Sequence, residues 1–383
     1  MIESVRGRGG VGHLGRAYLD GLIAPVRLPQ YPHYRSYWFD ARRHALVGMV
    51  IGLDLIPHEG KYHVVEANLG AGISADRRQL YPTRLDPFIT TMIELARDHG
   101  FERVVFCHNR WSPAYVDEFA AATATSGVEI VGASLRGTGS DSTRSMVGLP
   151  EPLEERTVYV IFPLVGMSMA HFLHNKLVFS RWMQATIEGN PQLAKKLAFI
   201  PTSDELIVPP EPADPQWPNL VIKLANRDKG KFVVMGRFRT EEEARDALRL
   251  SGSKALPGIF KFGLVDRLRE RVFPRHETIY QQFIPPRLID GRACKTRPLI
   301  FISPLVDQLL SAHATKSRIT PPTDMRPGRV DDTGAYNVSH FGGGEYITVP
   351  AAEQHELREV AREFGNLAKI AIAAKFETGP AEI

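Results

Sequence analysis

Between residues 86 and 164 the sequence switches repeatedly between helical and strand-like apolar spacing, and this alternation restricts the fold more than any other feature. DPFITTMIELARDHG (86–100) sets its apolar residues at helical intervals and stops at Gly100. ERVVFCHN follows as a buried strand, then a helix over Tyr115–Thr125, then VEIVGASL and TVYVIFPL (157–164) as further strands. Strands separated by helices return through crossovers and lie parallel. The segment therefore predicts a small α/β layer, with a Gly/Ser/Pro/Glu-rich loop at 137–156.

Upstream, MVIGLDLI (49–56) and KYHVVEAN (61–68) flank Pro57-His58-Glu59-Gly60 and read as a hairpin. Downstream, a helix is expected at 169–187 and a Pro-rich connector at 209–218. Strands are expected at 220–225, 231–238, 278–285 and 297–306, and a long amphipathic helix at 351–376. Thr240 with Glu243 forms a capping box at the head of a helix over 240–250. No internal repeat is evident, and the fold class is mixed α/β (α+β).

Composition narrows the function classes. The chain of 383 residues is 43% apolar and 23% charged, as expected of a globular protein large enough for two or three packed units. Its net charge of +4 is spread out, apart from Arg267–Arg271 and Lys316–Arg318, so the dense basic stripe of a nucleic-acid binder is missing. A pocket for a polyanion explains the same excess. Two cysteines, Cys107 and Cys294, make no disulfide framework and read as reduced thiols. No stretch approaches the ~18 apolar residues of a membrane span. The first fifteen residues lack the apolar core of a secretory signal. A cytoplasmic location is expected, with neither membrane nor nucleic acid as partner.

Chemistry concentrates in the hairpin. Glu66 and Asn68 are two apart on a strand and so share a face, and Asp54 on the partner strand can reach it. Two carboxylates and an amide oxygen are hard ligands suited to a Mg²⁺ shared with phosphate oxygens. Much later, Lys223 ends a strand and a basic, Gly-containing loop follows over Arg227–Lys231. A strand-end Lys supplies point charge to phosphates, and such a loop can close over them.

These segments resemble the ATP-grasp ligases, such as D-alanine–D-alanine ligase and glutathione synthetase. The resemblance implies that Asp54, Glu66 and Asn68 hold Mg²⁺ on the ATP phosphates. It implies that Lys223 and Lys176, in NKLVFSRWMQA, hold phosphates, and that Lys229, Gly230 and Lys231 form the lid. Gln282, Phe283 and Ile284, in IYQQFIPP, match the hinge strand that bonds adenine through its backbone. Arg318, Asn337 and the triple glycine 342–344 resemble the stretch that binds the transferring phosphoryl group, and Arg297 is a second candidate for substrate or phosphate.

The order of these parts is unusual for the family, whose metal strands normally come last. Moving residues 1–80 to the end restores the usual order, so a circular permutation is expected, as in eukaryotic-type glutathione synthetases. The expected domains are 1–80, the metal-binding part of the core; 81–168, the small α/β substrate domain; and 169–383, the nucleotide-binding and lid subdomains. The implied reaction is ATP-dependent activation of a carboxylate as an acyl phosphate, followed by attack of an amine, with Mg²⁺ and ATP as cofactors. The implied partners are a small carboxylic acid and an amine; a homodimer is allowed. Competing readings are a small-molecule kinase on the same nucleotide site, a non-catalytic nucleotide-binding protein, and a basic RNA-binding protein. Tyr31–Tyr37, Ser74, Arg77, Arg78 and the loop at 137–148 are candidates to line the substrate site.

Overall fold

The protein is described by a computed structural model. It covers residues 39–69, 80–81, 84–108, 113–134, 152–161, 175–224, 233–246, 278–331, 335–336, 338 and 344–377. Lys229, Gly230, Lys231, Asn337 and the substrate-lining candidates of residues 31–37, 74–78 and 137–148 lie outside the described residues.

One strand organises the main sheet. After the short β1 (Phe39–Asp40), β2 (Ala45–His58) runs fourteen residues, and eleven in succession, Ala45–Leu55, are buried. A strand covered on both faces reads as a continuous apolar run. Along one edge, the first half of β2 pairs in parallel with β6 (Thr157–Ile161), and the second half pairs antiparallel with β3 (Lys61–Leu69). Beyond β6 lie β4 (Arg103–His108) and β5 (Glu129–Ser134), also parallel. Along the other edge of β2 come β13 (Arg292–Ile302), β14 (Asp307–Lys316) and β16 (Glu345–Thr348), all antiparallel. The short β7 (Leu197–Phe199) and β12 (Arg287–Ile289) add to β3 and β13. A second sheet of five strands has the order β15 (Arg329–Val330), β10 (Val234–Arg237), β9 (Leu220–Leu224), β11 (Thr278–Gln282) and β8 (Thr202–Ser203).

The parallel layer expected for 86–164 is present. It is not a sheet of its own, however, because β6 continues directly into β2. The segments 1–80, 81–168 and 169–383 thus contribute strands to one sheet, and the expected boundaries do not separate it. The reason is the length of β2, which has room for two successive neighbours on one edge.

Helices cover both faces. Helix α1 (Pro87–Asp98) begins where Asp86 accepts a hydrogen bond from Phe88 N at 3.0 Å, with Pro87 in the first turn. It ends at Gly100, whose φ of +72° suits a residue without Cβ. Together with α2 (Pro113–Ser126) it seals an apolar layer of Leu46, Val50, Phe106, Phe119, Val160 and Phe301. The ring of Phe301 lies where a Cβ on Gly48 would stand, so this crossing requires glycine. On the opposite face, Met49, Ile51, Leu53 and Leu55 meet α3 (Lys176–Glu188) and α4 (Ala351–Glu377). Phe179, Trp182 and Met183 of α3 pack there with Leu357, Val360, Ala361 and Phe364 of α4, at helical spacing. Helix α3 is capped by Asn175, which accepts from Leu177 N and Val178 N; residues 169–174, where the helix is expected to begin, lie outside the described residues.

Acidic residues on one face of α4 secure it. Glu353 accepts from Arg287, Glu356 from Tyr62 at 3.0 Å, and Glu359 from Lys196. Half of the expected capping box forms: Thr240 accepts from Glu243 N at 3.1 Å, but the Glu243 carboxylate accepts from Arg239 N at 2.7 Å, one residue ahead of the cap. Among the described residues no helix is long and apolar enough to cross a membrane.

Candidate active site

The charged face of the main sheet begins where β2 leaves β6. Leu46 and Val50 on this face belong to the apolar layer, and Gly52 and Asp54 follow two and four residues on. The β2–β3 hairpin turns at Glu59 and Gly60, with φ of 48° and 73°, the left-handed pair that suits a two-residue connection. Its register pairs Asp54 with Glu66 and Gly52 with Asn68. An irregularity follows, because Leu55 pairs with Val64 and Val65 is left as an extra residue. This bulge keeps Tyr62 and Val64 on the apolar face while turning Glu66 and Asn68 to the other.

Four cations surround the two carboxylates. Lys176 starts α3, and its Nζ stands 3.6 Å from Glu66 Oε2; Lys223, on β9 of the second sheet, stands 4.0 Å from the same oxygen. The two lysines come together because Leu177 packs on Ile279, the residue paired with Lys223 across β9 and β11. Asp54 accepts from Arg297 Nε and from Arg297 Nη2 at 2.9 Å, and also from Lys295 Nζ. His313 and Thr315 pair with Arg297 and Lys295 across β13 and β14, and Tyr346 meets the His313 ring edge-on at 4.9 Å.

The formal sum, four cations less two carboxylates, is +2, held in a largely buried place. Burial raises the Asp54 carboxyl, but Arg297 and Lys295 outweigh it and hold the group far below the usual range. Burial also raises Glu66, and Lys176 and Lys223 outweigh it, so Glu66 too is held ionised. Lys223 goes the other way: desolvation pulls it down to about 8, against the attraction of Glu66 and with the repulsion of Lys176 and Lys295. A buried cation cluster short of negative charge favours an anionic ligand, which would restore full protonation of Lys223.

The sequence reading placed Asp54, Glu66, Lys176, Lys223 and Arg297 in one site, and the structure brings all five together. It changes some of their contacts. Asp54 was read as a metal ligand, yet its carboxylate is fully buried and both oxygens accept from cations; Arg297 spends two donors on it. Glu66 is 23% exposed and so open to an ion, while Asn68 Nδ2 is a buried donor without an acceptor, which a phosphate oxygen would supply. No group of three or more His, Cys, Asp or Glu side chains fit to hold a metal occurs among the described residues. A Mg²⁺ therefore fits only as an ion shared between Glu66 and ligand oxygens, with Asn68 able to join only through its Oδ1.

Two assignments on β11 and β14 change as well. Gln282 N donates to Pro201 O at 3.0 Å and Phe283 N to Asn219 O at 2.9 Å, so two of the three amides expected to bind adenine are engaged within the protein. The Phe283 ring is buried with Trp217 and Tyr336, and Ile284 is buried too. Arg318 is exposed in the bend after β14, beyond Lys316 and Ser317, and forms no part of the charged cluster.

Sequence reasoning missed Lys295. The signal was present: in RACKTR, Lys295 and Arg297 alternate with residues of a strand whose other members are mostly buried.

No family model matches the chain, and no curated protein matches it. Among solved structures, it is similar to the crystal structure of a "Putative gamma-glutamylcysteine synthetase" from Methylobacillus flagellatus KT, with 13% identity and a TM-score of 0.38. The match covers 96% of this chain and 95% of that one, and a likeness this slight carries no weight for fold or function.

Proposed function

We propose that the protein is an ATP-dependent ligase of the ATP-grasp kind, which activates a carboxylate as an acyl phosphate and couples it to an amine. The observation that carries this reading is the meeting of Lys176 and Lys223, from a helix and from a separate sheet, at Glu66 beside Asp54. A net-positive, nearly enclosed cluster with one accessible carboxylate suits a polyphosphate with its metal better than a hydrolytic site. Lys176 and Lys223 bind the nucleotide phosphates. Glu66, with Asn68 through its Oδ1, would hold a Mg²⁺ that would supply charge neutralisation to the transferring phosphoryl group. Lys295 and Arg297 attract the acid substrate, whose carboxylate oxygen takes the γ-phosphoryl group and releases ADP; the amine then displaces phosphate.

Catalysis in this reading is positioning and electrostatics, so no nucleophilic side chain is needed. The chain order is read as a circular permutation, with the β2–β3 hairpin ahead of the lysines it faces. Two buried free cysteines suit the cytoplasm.

The test is an ADP-release screen with Mg²⁺, over amino acids taken singly and in pairs. Release that requires both an acid and an amine supports the ligase. Release with a hydroxyl acceptor and no amine replaces it with a kinase, and no release with any pair, in a chain that still binds ADP, leaves a nucleotide-binding protein.

A further inference from the structure

Exposure divides the charged cluster into two layers. Asp54 is 0% exposed, whereas Lys295 and Arg297, which it holds, are 14% and 19% exposed, and Glu66 on the paired strand is 23% exposed. Asp54 therefore lies beneath its two cations, with both oxygens turned to them. A metal ion reaching it would have to displace a lysine and a bidentate arginine from a buried carboxylate, leaving charge unpaired in a dry place. Arg297 uses two of its five N–H donors on Asp54, and Lys295 has an ammonium with three. Burial works against the charge on Arg297, and Asp54 and then Glu66 outweigh it, so the guanidinium is held firmly protonated.

We propose that Asp54 is a positioning residue and not a magnesium ligand: from below the floor it presets Lys295 and Arg297 as a metal-independent clamp for the oxyanion of the acid substrate. The site then has two anion-binding halves. Lys176 and Lys223 with Glu66 serve the nucleotide and its metal, and Lys295 and Arg297 with Asp54 serve the second substrate. The assignment of that second ligand rests on the ligase reading; the division into halves rests on burial and hydrogen bonding alone. Because the clamp is assembled on neighbouring strands of one sheet, it is complete before any nucleotide arrives.

The experiment uses the full chain, calorimetry, and the variants Asp54→Asn, Lys295→Gln and Glu66→Gln. Inorganic phosphate is titrated in the presence of EDTA, and ADP is titrated at a series of Mg²⁺ concentrations. Lys295→Gln is expected to weaken phosphate binding by about tenfold or more, the worth of a charge-assisted hydrogen bond. Asp54→Asn is expected to weaken it too, despite the added net positive charge, because Lys295 and Arg297 lose the partner that holds them in place. Both are expected to leave unchanged the Mg²⁺ concentration at which ADP affinity is half-maximal, which Glu66→Gln raises. The proposal is overturned if Asp54→Asn raises that concentration as Glu66→Gln does. It is overturned equally if phosphate affinity is unmoved in both clamp variants, or absent in the unmodified chain. If Asp54→Asn does not fold, Lys295→Gln, which keeps the Asp54–Arg297 pair, decides the phosphate arm by the same outcomes. A wild-type chain that binds phosphate but no ADP at any Mg²⁺ concentration refutes the ligase reading and leaves the clamp standing.

Discussion

The two halves of strand β2 show how differently one sheet can be used. Over Ala45–Val50 both faces are apolar, covered by Phe106, Val160 and Phe301 on one side and by Val105, Tyr159 and Met49's neighbours on the other. Over Ile51–Leu55 one face remains apolar under α3 and α4, while the other passes from Gly52 to Asp54 and a cluster of four cations. Backbone pairing is continuous through both, so the ladder is not what differs. The apolar half gains stability from each side chain it buries. The charged half must desolvate six ionised groups and recovers that only in part until an anion binds.

The comparison can be broken first at the shared apolar layers. Phe364→Ala, under the charged half, and Phe106→Ala, in the parallel half, should each lower unfolding free energy by about 3–5 kcal/mol in urea titrations. A much smaller loss for Phe364 would mean that the charged half has no firm apolar backing. Next, Glu66→Gln should reduce ADP formation by roughly 10²–10³-fold with little change in melting temperature; normal turnover would remove the carboxylate from the site.

Lys223→Met should weaken ADP binding by about tenfold or more, while raising stability by ~1 kcal/mol, since it replaces an under-compensated buried cation with an apolar side chain. Destabilisation instead would make Lys223 a structural partner of Glu66. The lysine also sets a pH dependence. In the folded chain its ammonium titrates near 8, whereas the unfolded chain keeps the charge to 10.5. The folded state therefore binds fewer protons between those values, and this group's contribution to stability rises with pH across the window. ADP affinity should move oppositely, falling above pH 8 by up to about tenfold per unit as the free site loses its charge. Both trends should vanish in Lys223→Met. The smallest effect belongs to the surface: Arg181→Ala, which removes an exposed pair with Asp204, should change stability by no more than about 0.5 kcal/mol.

What could be read in advance was local. The hairpin, the Thr240 cap and the stop at Gly100 depend on residues within about a dozen positions, where period and turn chemistry suffice. The facing of Asp54 with Glu66 also needs the bulge at Val65, which strand period does not show. Two larger differences have a common origin. Neither the joining of β6 to β2 nor the contact of Lys295 and Arg297 with Asp54, residues 241 and 243 apart in sequence, leaves a trace in local pattern. Strand partners distant in sequence are chosen by packing, and that choice turned an expected metal ligand into the support of two cations.

The attachment of α4 has an implication for how the molecule is made. Tyr62 and the acid it holds, Glu356, are 294 positions apart, and the helix carrying that acid covers Ile51, Leu53 and Leu55. During synthesis from the amino end, those early strands emerge long before their cover exists. At the usual pace of translation they would wait tens of seconds with an oily surface bare. Such a nascent chain should depend on chaperones, and truncations that remove the cover should aggregate instead of yielding a smaller folded protein.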